Sequence, residues 1–312
     1  MTTFRDFLVD EFPDAPVSEL SGSNNLVYLV RTDQGPVVAK HVVDGDIPLG
    51  YLAEATAALG AHLPVQRIHR VCRTEDGDPF DAVFAEYVEG ENLAAAMERE
   101  EDGPSTDALV DHLCRFVLAC RHLPPMRDGY GLYKREAPAL ATWPEFVVHY
   151  GRRYWNRVRP FYEGTETAAA VDAWLDGGFA EAAKAHTAPH TVVSIDANLK
   201  NTVVAPDGRM VVLNVPIAAL SAPAHAVGAI SLHLRHRPPY KPFLDAAAER
   251  LCPDDAPLVP HFELWGMLGI LSFYAVRQPE RQHEWRNWGS PVLLDDDFRD
   301  LVRTHLPAPE RP

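Results

Sequence analysis

The chain has 312 residues, 46% hydrophobic and 23% charged, with 29 basic against 44 acidic side chains and a formal charge of −15. These proportions exclude a disordered or collagen-like chain, and the length suits two lobes sharing a cleft. So acidic a composition disfavours a nucleic-acid or anionic-membrane surface, and the longest nearly uncharged apolar stretch, Leu264 to Val276, is too short to cross a bilayer. The first residues, MTTFRDFLVDEF, lack the apolar run of a secretory signal. The four cysteines (Cys72, Cys114, Cys120, Cys252) show no C-x-x-C spacing and read as reduced thiols of a cytoplasmic protein.

Asn25 to Val30 and Val37 to Val43 are short β-rich runs joined by a Gly-Pro turn, which predicts a hairpin. Gly50 to Ala61 predicts a helix; Val65 to Arg73 and Ala82 to Val88 predict strands, and Glu89-Gly90-Glu91-Asn92 breaks the pattern. From Leu93 the periodicity is mainly helical, over 107–122, 143–162, 168–185 and 262–277. One interruption stands out: the apolar runs Thr191 to Ile195, Asn201 to Ala205 and Met210 to Asn214, the last two joined by Pro206-Asp207-Gly208. A β lobe over residues 1–88 and a helical lobe over 89–312, carrying a central hairpin at about 190–228, give a two-lobed α+β outline.

Three constellations carry chemistry. Ser21, Gly22, Ser23, Asn24 and Asn25 form a small-residue loop between strands, either a plain surface turn or a loop whose N–H groups approach phosphates. Lys40 ends a strand just after it. It reads either as a solvated edge lysine or as an amine placed for phosphates with Glu54 of the next helix as its partner. Only five lysines occur in the chain, which gives each one more weight. Asp196 and Asn201, in D-A-N-L-K-N between two apolar runs, pair a carboxylate that can orient a hydroxyl with an amide that can brace the loop and offer oxygen to Mg²⁺.

In this order, from Leu20 to Gly228, the loop, V-V-A-K, a helix Glu, A-E-Y-V-E-G-E-N-L and D-x-x-x-x-N followed by a hairpin resemble the aminoglycoside phosphotransferase and choline kinase family, within the protein-kinase-like fold. The resemblance implies that Ser21 to Asn25 cover the phosphates of ATP and that Lys40, braced by Glu54, contacts them. It further implies that Glu86 to Val88 present backbone groups to adenine, that Asp196 is the catalytic base, and that Asn201 and residue 214 hold Mg²⁺. The implied activity is phosphoryl transfer from ATP to a hydroxyl of a small molecule, and the acidic composition suits a cationic acceptor such as an aminosugar as well as it suits a solvated surface.

The departures are as informative. Where the family reads H-G-D, this chain reads Ser194-Ile195-Asp196; where it places a metal-binding Asp, the chain has Asn214. The later G-D-P-x-x-D pattern corresponds to Ser221-Ala222-Pro223-Ala224-His225-Ala226, with alanine at both acidic positions. A neutral amide brings no charge to a hard cation normally held by carboxylates and phosphates. The sequence therefore supports two expectations: a small-molecule kinase, or a catalytically impaired kinase-like protein that binds nucleotide or a small ligand and acts by association.

Overall fold

The structure is a computed structural model; it describes residues 3–20, 26–42, 47–99, 103–196, 198–287, 290 and 292–306. The loop from Ser21 to Asn25 lies outside the described residues, so its expected place over phosphates has no structural account here.

The chain opens on a helix, α1 (Phe4–Glu11), started by a Thr3–Asp6 capping box. Five strands follow: β1 (Val17–Leu20), β2 (Leu26–Thr32), β3 (Gly35–His41), β4 (Ile68–Cys72) and β5 (Ala82–Glu86), with α2 (Leu49–Gly60) between β3 and β4. They form one antiparallel sheet in the order β1-β2-β3-β5-β4. Both faces are covered. Phe4 and Leu8 of α1 pack on Tyr28, Val30, Ala39 and Phe84, while on the other face Leu49, at the start of α2, packs against Val83 and Ala85. Burial on both faces is why β2 keeps three consecutive apolar residues inside, Tyr28, Leu29 and Val30.

The expected strand from Val65 starts later, at Ile68, because Pro64, Val65 and Gln66 are committed elsewhere. Val65 bridges Val212 in parallel, Val212 N–H donates to Pro64 O (3.0 Å), and Gln66 N–H donates to Val212 O (2.8 Å). This splice ties the N-terminal sheet to the C-terminal hairpin.

Beyond the sheet come β6 (Glu91–Asn92), α3 (Leu93–Ala96), α4 (Thr106–Cys120), α5 (Trp143–Val158), α6 (Glu166–Ala173) and α7 (Phe179–Ala185). The single helix expected over 168–185 is interrupted by a π-turn at Trp174–Gly178, where consecutive glycines weaken the ladder. Then follow β7 (Thr191–Ser194), β8 (Thr202–Val204), β9 (Met210–Val212), β10 (Ala218–Ser221), α8 (Pro223–Leu234), α9 (Tyr240–Arg250), α10 (Val259–Arg277) and α11 (Leu294–His305). β7 pairs with β10, and β8 lies between β6 and β9.

The helical core is one cluster built around α4, α5, α8 and α10. Where α8 crosses α10, a Cβ on Gly228 would sit 2.6 Å from Phe262 Cβ, so only glycine permits that approach. Near this crossing the buried Glu263 carboxylate accepts from Ser231 (2.7 Å), Tyr240 (2.8 Å) and His305 (2.8 Å), fastening α8, α9 and α11 to α10. Helices α9, α10 and α11 thus act as a brace for the lobe. Among the described residues no helix is long and apolar enough to cross a membrane.

Candidate active site

Lys40 faces its neighbours on β2 and β5, Val27 and Val83, and sends its amine toward the C-terminal hairpin. Its Nζ donates to Asn214 Oδ1 (2.8 Å), Gln66 Oε1 (2.8 Å) and Leu213 O (3.2 Å). Burial lowers its pKa to about 8. The expected bridge to Glu54 is not made. Glu54 is exposed on α2, one residue off the Leu49, Ala55 and Leu59 stripe that the helix buries, and among the described residues no ion pair joins it to Lys40.

Gln66 takes the bracing role that Glu54 was expected to fill. Its amide is 5% exposed, accepts from Lys40, and donates through Nε2 to Glu86 O (2.7 Å). Glu86 is further used up by Arg67, whose N–H donates to Glu86 Oε1 (3.0 Å) and whose carbonyl accepts from Glu86 N–H (2.9 Å). Of the segment expected to meet a base, Glu86 therefore serves the internal network, and Val88 lies half-buried two residues on. Gln66 carries no local sequence signal, because only the splice between residue 65 and residue 212 brings it to Lys40.

The second half of the site is the β7–β9 region. Ile195 N–H bonds Ile217 O (2.9 Å), holding the strand end from which Asp196 emerges. Asn198 Oδ1 accepts from Lys200 N–H (3.0 Å) and Asn198 O from Asn201 N–H (2.9 Å), closing a tight turn. Asn201 O then accepts from Leu213 N–H (2.7 Å), and Asn201 Oδ1 from Asn214 Nδ2 (3.2 Å). A small pocket joins Asp196, Asn201 and Asn214, with His112 and Phe116 of α4 among its lining.

Asp196 is open to solvent but ringed by protein, and desolvation raises its pKa while Lys134 and Lys200 pull it back down. Of the two residues standing before it, Ser194 is fully buried and its Oγ has no hydrogen-bond partner among the described residues. The two alanines of the degenerate acidic pattern are also fully buried, and Ser221 beside them joins Trp143 Nε1 (2.7 Å) to His225 Nδ1 (3.0 Å). Ala222 and Ala226 thus serve packing.

Residues 17–213 match the sequence profile of the phosphotransferase enzyme family. The chain belongs to that family. Its overall structure resembles aminoglycoside phosphotransferase APH(4)-Ia, with a TM-score of 0.71 at 15% identity over 96% of this chain and 97% of that one. It also resembles a protein assigned as a fructosamine-3-kinase from Thermobifida fusca (TM-score 0.59, 17% identity, 98% and 99% coverage). LicA, solved with AMP, is similar at a TM-score of 0.58 and 14% identity, over 96% of this chain and 98% of that one. These likenesses fix a protein-kinase-like fold for this phosphotransferase-family chain. The sequence matches none of the curated proteins.

The donor set of this family member does not fit a resident Mg²⁺. At the expected metal position Asn201 and Asn214 offer only neutral amide oxygens, and each already accepts a hydrogen bond, from Asn214 and Lys40 respectively. Asp196 is the one carboxylate lining the pocket, and no group of three His, Cys, Asp or Glu side chains among the described residues is placed to hold a metal. A hard dication is normally held by carboxylates together with phosphates. Here the ammonium of Lys40 is the cation at Asn214.

Two buried imidazoles behind the site give a pH prediction. His112 is 2% exposed and His225 0%, and burial lowers their pKa values to about 4 and about 3. The unfolded chain, with imidazoles near about 6.5, takes up protons first as pH falls, so the stability contributed above about pH 6.5 is lost on the way down to the folded values. Urea unfolding at pH 5 should show about 4 kcal/mol less stability from these two groups than at pH 7.5. A loss of stability between pH 7.5 and pH 5 that His112→Gln and His225→Gln leave unchanged would mean that neither imidazole is held neutral.

Proposed function

We propose that the protein is an ATP-dependent phosphotransferase that acts on a hydroxyl of a small molecule, with Lys40 as the main fixed cation on the nucleotide's phosphates. The observation that carries this reading is the convergence of Lys40, from the N-terminal sheet, with Asn214 and Asn201, from the C-terminal hairpin, at a pocket that Asp196 also lines. Related structures holding ADP with hygromycin B, and AMP, support nucleotide as the shared ligand.

In this reading residues 1–88 bind nucleotide and residues 89–312 carry the acceptor. The backbone at Val88 meets the base, and Ser21 to Asn24 cover the phosphates. Lys40 leaves Asn214 for phosphate oxygens, exchanging a neutral acceptor for a charged one. Asp196 accepts the proton of the acceptor hydroxyl as its oxygen bonds to the γ-phosphorus, while the bond from that phosphorus to the β–γ bridging oxygen breaks and ADP leaves. Asn201 holds the loop between Asp196 and β8 in shape through its bonds to Leu213 and Asn214. No step is routed through a metal.

The test is ADP release and transfer of the labelled γ-phosphoryl group across a panel of hydroxylated acceptors, for the wild type and Asp196→Asn. The expected result is turnover lowered by about 10² or more in the variant, with ATP still bound. A second reading, a kinase-like protein that binds nucleotide without transferring phosphate, is favoured by the neutral Asn214 and the buried Ala222 and Ala226. ATP binding by the wild type with no transfer to any acceptor would side with it.

A further inference from the structure

The loop that carries Asp196 has no histidine of its own, because Ser194 and Ile195 stand where the family reads H-G. An imidazole nevertheless lines the pocket beside Asp196, and it comes from a helix. His112 and Phe116, one turn apart on α4, form one wall; Asn198, Asn201 and Thr202, with Asp196, form the wall opposite.

Helix α4 is a firm support for that imidazole. Ser105 caps its start, accepting from Ala108 N–H (3.2 Å), and Leu109, Leu113 and Val117 anchor it in the helical core. The opposite wall is held on its other sides. Asn198 O accepts from Asn201 N–H (2.9 Å), Asn201 O from Leu213 N–H (2.7 Å), and Asn201 Oδ1 from Asn214 Nδ2 (3.2 Å). Toward α4 it is not held: among the described residues no hydrogen bond joins residues 196–202 to that helix.

His112 Nε2 is closed off from bulk solvent and has no hydrogen-bond partner among the described residues. A buried ring nitrogen left in that condition costs free energy, and a polar partner across the gap removes the cost. Between the walls lies a cavity of about 20 Å³. That space suits one water molecule and nothing larger, and an ordered water needs at least two polar partners. The lining supplies them, with the imidazole on one side and the Asn201 amide and Thr202 hydroxyl on the other. Burial keeps the ring neutral at physiological pH, so it brings a hydrogen bond to the site without a competing positive charge.

We propose that His112 is a positioning residue for phosphoryl transfer, whose Nε2 holds one ordered water bonded to Asn201 or Thr202 and so fixes the turn after Asp196 against α4. The inference rests on the phosphotransferase reading for the role of Asp196. Its effect falls on the aim of the Asp196 carboxylate at an acceptor hydroxyl. ATP is touched less, because its phosphates meet Lys40 on the sheet side of the cleft in that reading.

The experiment pairs a high-resolution crystal structure of the whole protein with two variants. The structure should show an ordered water within hydrogen-bond distance of His112 Nε2 and of Asn201 or Thr202. His112→Phe, which fills the ring's space without a polar atom, should lower kcat by about tenfold or more while the KM for ATP stays within about threefold. His112→Gln, whose amide can reach the same water, should keep kcat within about threefold of wild type. Amide hydrogen exchange at Asn201 and Leu213 should quicken in the Phe variant and not in the Gln variant. The proposal is overturned if the wild-type structure has no water there, if the Phe and Gln variants lose kcat alike, or if the folded Phe variant turns over as the wild type does. Should the wild type transfer phosphate to no acceptor, the phosphotransferase reading is lost, and the water and the exchange rates still decide whether His112 holds the turn. The water is read in the wild type whether or not the Phe variant folds.

Discussion

Lys40→Ala is expected to abolish ATP binding while leaving the thermal midpoint within a few degrees of wild type. Among the described residues the ammonium of Lys40 is the cation bonded to Asn214 at the junction of sheet and hairpin, and in the proposed reading the phosphates depend on it. Losing a charge-assisted contact of this kind costs about 1.5–3 kcal/mol per bond, and a triphosphate engages it with more than one oxygen. Stability should move little because two effects oppose. Removing Lys40 leaves the buried Gln66 Oε1 unpaired, at about 1–3 kcal/mol, but it also removes an amine whose charge is disfavoured by burial, with a pKa near 8. Calorimetry with ATP and a melting curve on the same preparation check both halves. A collapsed midpoint with ATP affinity intact would make Lys40 a structural tie between sheet and hairpin and nothing more.

Asn214→Asp should have the second largest effect, and it should appear as a change in metal dependence. The side chain of Asn214 is exposed to the cleft, so a carboxylate there escapes most of the desolvation penalty that a buried site would impose. Without metal, the new carboxylate takes Lys40 as an ion-pair partner at the present 2.8 Å contact, and ATP affinity falls. With Mg²⁺ the carboxylate supplies the charged ligand that two amides cannot, and affinity rises. The ratio of ATP affinities with and without Mg²⁺ should therefore grow by about tenfold or more relative to wild type. An unchanged ratio with a lowered thermal midpoint would remove residue 214 from the site and leave it a hydrogen-bonding residue of the hairpin.

The parts of this molecule legible in the sequence are those written in local pattern. Strands β2 and β3 carry their hairpin turn between them, and α4 and α5 announce themselves through period and caps, with Ser105 and the Thr142–Glu145 capping box at their starts. The order of loop, lysine, D-x-x-x-x-N and hairpin was enough to place the chain in its fold family. What was not legible is what depends on distant pairing. Gln66 reaches Lys40 only because residues 64–66 join β9, some 146 positions away, and Leu132 and Tyr133 reach β10 only through an isolated bridge to Ala219 and a bond to Ala218. Helix α1 does carry a local signal in its Thr3–Asp6 capping box, but its apolar residues Phe4 and Leu8 find their partners only on the sheet face that follows them. Glu54 failed as the partner of Lys40 because the choice rested on residue type and order, whereas the buried stripe of α2 turns that side chain outward.

The most direct measurement is ATP titration of the wild-type protein in EDTA and again in millimolar Mg²⁺. With Lys40 as the principal cation and only amides at Asn201 and Asn214, ATP should bind in EDTA, and Mg²⁺ should change its affinity by less than about tenfold. Binding that appears only when Mg²⁺ is present would contradict this, since it would require a metal ligand set that the Lys40, Asn214 and Asn201 arrangement does not provide.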